Sequence, residues 1–157
     1  MFDPIRLAVA DDHAAIDALL RRAFGGPGEA DLVRRLRAER GFREWVVGLR
    51  VPLGYAAVSP FEAPADWLCL APVAVSPEEQ RRGVATALLR HVVAALMSEM
   101  RTVVVLGEPR LYARAGFSSP RAARLATPYP PGATLIARPG SDTPAVRLVY
   151  NRAFEGV

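Results

Sequence analysis

Apolar residues recur along this chain with two periods, and the switches between them mark out its elements. Residues 5–10 alternate around Leu7 and Val9, the pattern of a half-buried strand. Asp11-Asp12 then offers a helix cap, and Ile16, Leu19, Leu20, Ala23 and Phe24 fall on one helical face. Gly25-Gly26-Pro27-Gly28 breaks that helix and predicts a loop. A second helix is expected over 29–39, with Leu32, Val33 and Leu36 inward and Arg34, Arg35 and Arg37 in solvent. Residues 44–49 and 53–59 read as an antiparallel hairpin, 60–66 as a loop and 67–75 as a strand carrying Leu68, Leu70, Val73 and Val75. The alternation of that strand slips at Ala71-Pro72. Proline has no N–H to give to a ladder, so a bulge or a local parting of strands is expected there.

From Val84 to Met100 the apolar positions Leu88, Leu89, Val92, Val93, Leu96 and Met97 predict a helix with a broad buried face. Residues 102–106 form an unbroken β-branched run, the signature of a strand buried on both faces. Gly107-Glu108-Pro109 starts a short helix over 110–115, Gly116 ends it, and Phe117 opens a further strand. Prolines punctuate the tail, where strands are expected over 134–137 and, with more alternation, over 145–151. There is no internal repeat and no linker. The order predicts one α/β domain over residues 1–157.

The composition narrows the class. Apolar residues make up 51% of 157, enough for a folded core. A single cysteine excludes a disulfide framework and a cysteine metal cluster. No run reaches the ~20 apolar residues of a membrane span, and the N-terminus lacks the pattern of a signal peptide. A cytoplasmic protein without membrane contact is the expectation. The net charge is +4 and every one of the twenty cations is arginine. They are spread along the chain and interleaved with acids, so a nucleic-acid partner is not expected.

The candidate chemistry gathers in residues 70–85, LAPVAVSPEEQRRGVA. A strand ends at Ser76-Pro77, a polar turn follows, and Gly83 and Ala85 lie where a helix begins. Free N–H groups at a helix N-terminus make an anion site. Without lysine this is not a P-loop, and the dinucleotide pattern GxGxxG is absent. A pyrophosphate on the backbone of 80–85, with charge from Arg81 and Arg82, remains. Cys69 on an apolar strand reads as a small buried hydrophobe, and His13 and His91 have no companions suited to a metal. Trp45 and Trp67 read as core or sheet-face residues.

VAVSPEEQRRGVATALL resembles the acyl-CoA motif of the GNAT superfamily of N-acetyltransferases, Q/R-x-x-G-x-G/A between a strand and a helix. LGEPRLYARAGF resembles the next block of that family, a tyrosine followed by x-x-x-G-F. Phe24…Glu29-Ala30-x-Leu32, Leu70-Ala71-Pro72 and Tyr150-x-x-Ala153-Phe154 extend the likeness to the YhbS-like branch of predicted acetyltransferases. The resemblance implies a GNAT fold: a mixed, mostly antiparallel sheet with helices on both faces and a splay between its two central strands. It implies acetyl-CoA as co-substrate, no metal, and transfer to a primary amine by direct attack in a ternary complex. The amine could be a small molecule or a peptide, and a homodimer could form through the last strands. Val73, Ala74 and Val75 would flank the pantetheine arm, with a backbone N–H near Val73 serving the oxyanion. Gln80, Arg81, Arg82, Gly83, Val84 and Ala85 would hold the pyrophosphate. Tyr112 would protonate the departing thiolate, a transfer suited to a phenol near pKa ~10 and a thiol near ~8.5; otherwise it packs beneath the cofactor.

The general base stays open. Glu29 could take the amine's proton or be a solvated acid at a helix start; Glu108 could face the site or cap the short helix. Glu62 and Asp66 lie in the loop before the central strand. Leu111 and Ala115 stand where relatives often carry aromatics, and the asparagine common before the tyrosine block is missing. A non-catalytic acyl-CoA-binding or regulatory module would keep the same nest, and turnover with amines separates the two. The amine is expected to enter between the Phe24–Glu29 loop and the proline-rich tail.

Overall fold

The computed structural model describes residues 3–80 and 82–156. Six strands, β1 (Ile5–Leu7), β2 (Arg43–Val47), β3 (Gly54–Pro60), β4 (Leu68–Val75), β5 (Val103–Leu106) and β6 (Thr134–Ala137), form one sheet in sequential order. All neighbours are antiparallel except β4 and β5. Helices α1 (His13–Phe24) and α2 (Gly28–Leu36) cover one face, and α3 (Val84–Ser98) with the short α4 (Pro109–Arg114) the other. Side chains of a strand alternate between faces, so each strand feeds two cores. Val46, Tyr55 and Ala57 meet Ile16, Leu19, Leu20 and Val33, while Trp45, Val47, Ala56 and Val58 meet Leu88, Leu89, Val92 and Leu96. Among the described residues no helix is long and apolar enough to cross a membrane.

The slip at Ala71-Pro72 is a bulge. Ala56 pairs with Val73 and Val58 with Leu70, so two residues of β4 oppose the single Ala57. One extra residue exchanges the faces of everything beyond it. Leu68 and Leu70 pack toward α3, and past the bulge it is Val73 that packs there while Ala74 turns to α1 and α2. The expected parting is present as well: β4 pairs with β5 only at Leu68↔Val103 and Cys69↔Val104.

Four expectations need correction. β1 stops at Leu7 because the chain turns over Ala10–Asp12, where Asp12 accepts from Val9 N–H at 2.7 Å and from Arg6 at 2.8 and 2.9 Å. Asp12 thus closes its own turn and makes no side-chain cap on α1. The strand expected after Phe117 is a single bridge, Ser118↔Ile136. That bridge occupies the outer edge of β6 through hydrogen bonds of 2.7 and 3.0 Å. With that edge of β6 taken, residues 145–151 join no strand of the sheet, and among the described residues they form only the bridges Ala126↔Arg147 and Ala63↔Val149.

Candidate active site

Past Cys69, the β5-facing edge of β4 has no strand partner among the described residues. Two cavities lie along it. The first, about 300 Å³, is bounded by Val75, Gln80, Gly83, Val84, Ala85 and Arg114 among others. Its floor is the start of α3. Gly83 there is left-handed, with φ 80°, a conformation that disfavours most side chains. Among the described residues the first ladder bond of α3 runs from Ala87 N–H to Gly83 O at 3.0 Å, and the N–H groups at the start of a helix are the ones its own ladder leaves free. Aligned peptide dipoles add positive potential at this end. Gln80 Nε2 donates to Val75 O at 3.3 Å and Ser76 N–H to Leu53 O at 2.8 Å, closing the loop onto the sheet. Gly54 lets this corner come close: a Cβ there would meet Val84 Cγ1 at 3.1 Å and Val47 Cγ2 at 3.3 Å.

The expected cation placement is different in detail. Arg82 lines a neighbouring cavity with Asp3, Val47 and Ala87, 3.9 Å from Glu79, while Arg81 lies outside the described residues. Among the described residues Arg114, at the end of α4, is the cation that lines the α3 cavity, which Glu79 lines as well. It was not singled out in the sequence, since its only signal there is a place two residues beyond Tyr112. Leu111 faces the same cavity, and Ala115 is core.

The second cavity, about 440 Å³, takes Phe24 from α1, Glu29 and Leu32 from α2, Pro72 and Val73 from β4, Leu106 from β5 and Tyr112 from α4. Phe154, from the terminal turn Arg152–Phe154, closes it. Val73 therefore edges the second cavity and Val75 the first, with Ala74 buried between them on the opposite face. Tyr112 is only 8% exposed and lies edge-on to Phe117, centroids 5.7 Å apart. Burial raises its pKa above the ordinary phenol value, so it stays protonated at neutral pH. Gly107 makes room for it, because a Cβ there would sit 2.3 Å from Tyr112 Cε2. Gly107, which with Glu108 occupies the region before the tyrosine block, is thus part of the tyrosine's seat.

Of the candidate acids, Glu29 alone lines this cavity. Glu108 caps α4, accepting from Arg110 N–H at 3.4 Å. Glu62 and Asp66 stand on the exposed loop before β4. Glu44, which the sequence did not single out, is bound by Tyr55 at 2.7 Å, by Arg37 at 3.0 and 3.1 Å and by His13 at 3.2 Å, away from both cavities. Cys69 is buried and its thiol is pushed up to about 12, which makes it inert. His91 is exposed on α3. The proline-rich tail encloses a separate cavity of about 450 Å³ around Thr127, Tyr129, Arg147 and Tyr150, so residues 127–143 do not wall the Glu29–Tyr112 cavity; the terminal turn does. Among the described residues no three metal-ligating side chains cluster.

The profile of the family described as "Acetyltransferase (GNAT) domain" matches residues 40–119. The chain is 37% identical over 123 residues to the N-acetyltransferase YhbS of Escherichia coli K12, described as uncharacterized, with 72% of each chain covered. The crystal structure of Escherichia coli YhbS in complex with CoA superposes with a TM-score of 0.86 at 30% identity, covering 98% of this chain and 92% of that one. A GNAT family acetyltransferase of Brucella melitensis in complex with acetyl-CoA superposes with a TM-score of 0.79 at 26% identity, covering 97% of both.

Proposed function

The chain belongs to the GNAT acetyltransferase family, and from that premise we propose that it transfers an acetyl group from acetyl-CoA to a primary amine by direct attack in a ternary complex. The observation that carries this is the open edge of β4, which joins a helix-N-terminal anion cavity to a cavity holding one phenol and one carboxylate. The distance between strands that no longer pair leaves backbone groups of Val73, Ala74 and Val75 for a pantetheine arm. The first N–H groups of α3 then face the pyrophosphate, with Gln80, Gly83, Val84 and Ala85 around it and Arg82 and Arg114 contributing charge. Two complexed relatives, with CoA and with acetyl-CoA, support this assignment.

The acceptor nitrogen, deprotonated, forms the new C–N bond at the thioester carbon. The ammonium first gives one proton to Glu29, directly or through water, and on to solvent, and the nitrogen passes its second proton the same way as the tetrahedral intermediate collapses. A backbone N–H near Val73 meets the charge developing on the carbonyl oxygen, a contact whose loss typically costs roughly 3 kcal/mol. The C–S bond breaks with its electron pair on sulfur, and the Tyr112 hydroxyl gives that sulfur its proton. The phenol regains a proton from solvent after product leaves. A raised pKa makes Tyr112 a weaker acid, but a thiolate leaving into the same apolar walls is desolvated too, which raises its own proton affinity.

The test is release of CoA thiol from acetyl-CoA over a panel of primary amines, with Tyr112→Phe beside the wild-type chain. We expect amine-dependent release, cut by about 100-fold or more in the variant, with CoA affinity retained. Turnover unchanged in Tyr112→Phe removes the acid role. Binding of CoA with no release for any amine leaves a non-catalytic acyl-CoA-binding module instead.

A further inference from the structure

The walls of the Glu29–Tyr112 cavity say what kind of amine fits. Beyond the part next to Val73 and Tyr112, where the thioester must lie, its lining is Phe24, Leu32, Leu70 and Phe154, with Glu29 as the one charged group among the described residues. Twenty arginines are spread through the chain, yet among the described residues none lines this cavity. Arg35, one and a half turns along α2 from Glu29, is engaged elsewhere and donates to Ala153 O at 2.9 Å. A carboxylate brought in beside the amine would face apolar walls and Glu29 with no cation to pair it. A second ammonium would find no second acid. Phe24 keeps 44% of its surface exposed at the end of α1, an aromatic face left open at the cavity.

The opposite wall is held at a set position against the same helix that carries Glu29. Asn151 Nδ2 donates to Glu39 Oε1 at 2.8 Å, and its Oδ1 accepts from Ala153 N–H at 2.9 Å. The Arg35 and Glu39 bonds pin the terminal turn to α2 and its continuation, and the bond from Ala153 N–H to Asn151 holds the turn's own shape. Tyr150 supports Phe154 edge-on, centroids 6.3 Å apart. The carboxylate and the aromatic wall are thereby positioned together.

We infer that the acceptor is a small monocationic amine on an apolar aryl or alkyl body, with no carboxylate beside the amine: Glu29 takes the ammonium, and Phe24, Leu32 and Phe154 take the body. This rests on the acetyl-transfer reading above, and the experiment separates the failure of one from the failure of the other. The full chain with acetyl-CoA is given 2-phenylethylamine, phenylalaninamide, phenylalanine or spermidine, and thiol release is followed. The expected kcat/KM for 2-phenylethylamine and phenylalaninamide exceeds that for phenylalanine and for spermidine by about 100-fold. Phe154→Ala raises KM for 2-phenylethylamine about tenfold and leaves KM for acetyl-CoA unchanged. Phenylalanine or spermidine turned over as well as 2-phenylethylamine overturns the inference. If no amine releases thiol, the transfer reading fails, and the same compounds are then tested as ligands by thermal denaturation of the CoA complex. There 2-phenylethylamine, and not phenylalanine, raises Tm if the inference holds; equal shifts, or none with either, overturn it.

Discussion

Gly107→Ala isolates the seat of Tyr112. No left-handed φ is required at this position, so alanine is not excluded by the backbone. What excludes it is the ring: the added Cβ would lie 2.3 Å from Cε2, 3.0 Å from Cδ2 and 3.2 Å from Cζ. Ordinary carbon contacts are about 3.5–4.0 Å, so one partner must retreat by more than about 1 Å. Gly107 is held by its N–H to Ala133 O at 3.0 Å, and Tyr112 N–H is tied to Glu108 O at 3.2 Å. The ring is also braced by Phe117 behind it. The phenol therefore moves in the cavity, and overpacking of this kind costs roughly 1–3 kcal/mol. At about 2–4 °C per kcal/mol for a chain of this size, Tm falls by several degrees. A displaced acid of this size also slows transfer by about 100-fold. Thermal unfolding and initial rates are measured on Gly107→Ala, Tyr112→Phe and the double variant. If alanine acts through the hydroxyl, the double variant is no slower than Tyr112→Phe alone. Wild-type Tm and kcat in Gly107→Ala would refute the packing argument.

Three further outcomes are expected. Gly83→Glu abolishes CoA binding through like charge while Gly83→Asn keeps it, because a Cβ there meets nothing within 4 Å and asparagine tolerates the left-handed φ of 80°; calorimetry with CoA decides, and equal binding by both variants counts against the nest. Asn151→Ala raises KM for the amine and not for acetyl-CoA, since its bonds to Glu39 and Ala153 hold the wall with Phe154; equal increases in both constants in a two-substrate rate study would remove that positioning role. Arg6, and then Val9 N–H, hold the Asp12 carboxyl down at about 2. A depressed carboxylate stabilises the fold above its unfolded value near ~3.9 and loses that contribution as pH falls toward the folded value. Asp12→Asn therefore costs about 1–3 kcal/mol at neutral pH, a gap that closes between about pH 4 and 2; a gap unchanged across that window in urea titrations contradicts the ion pair.

The local periodicities were enough to place α1, α3 and β2 to β6, because each buries a stripe or an alternating face that shows in the residues themselves. The expected strand over 145–151 had the same alternation and did not form, since strand formation needs a free edge and Ser118 had taken the one at β6. The proline in β4 announced an irregularity; that it would be both a bulge against β3 and the end of pairing with β5 depends on the register of three strands together.

By itself the sequence determined the family, the strand–turn–helix that offers N–H groups at Gly83 to Ala85, and the identity of Tyr112 as the candidate acid. The strand–turn–helix follows from the order of contiguous residues, while the family and the role of Tyr112 are what the resemblance of those residues to the GNAT motifs implies. Only the tertiary structure decided what surrounds that phenol. Phe24, Glu29, Gly107 and Phe154 come from four separate segments, and the packing of α2 against the terminal turn brings the acid and the aromatic wall to one cavity. It also put Arg114 rather than Arg82 at the α3 cavity. Such neighbours depend on long-range packing, which no local period encodes.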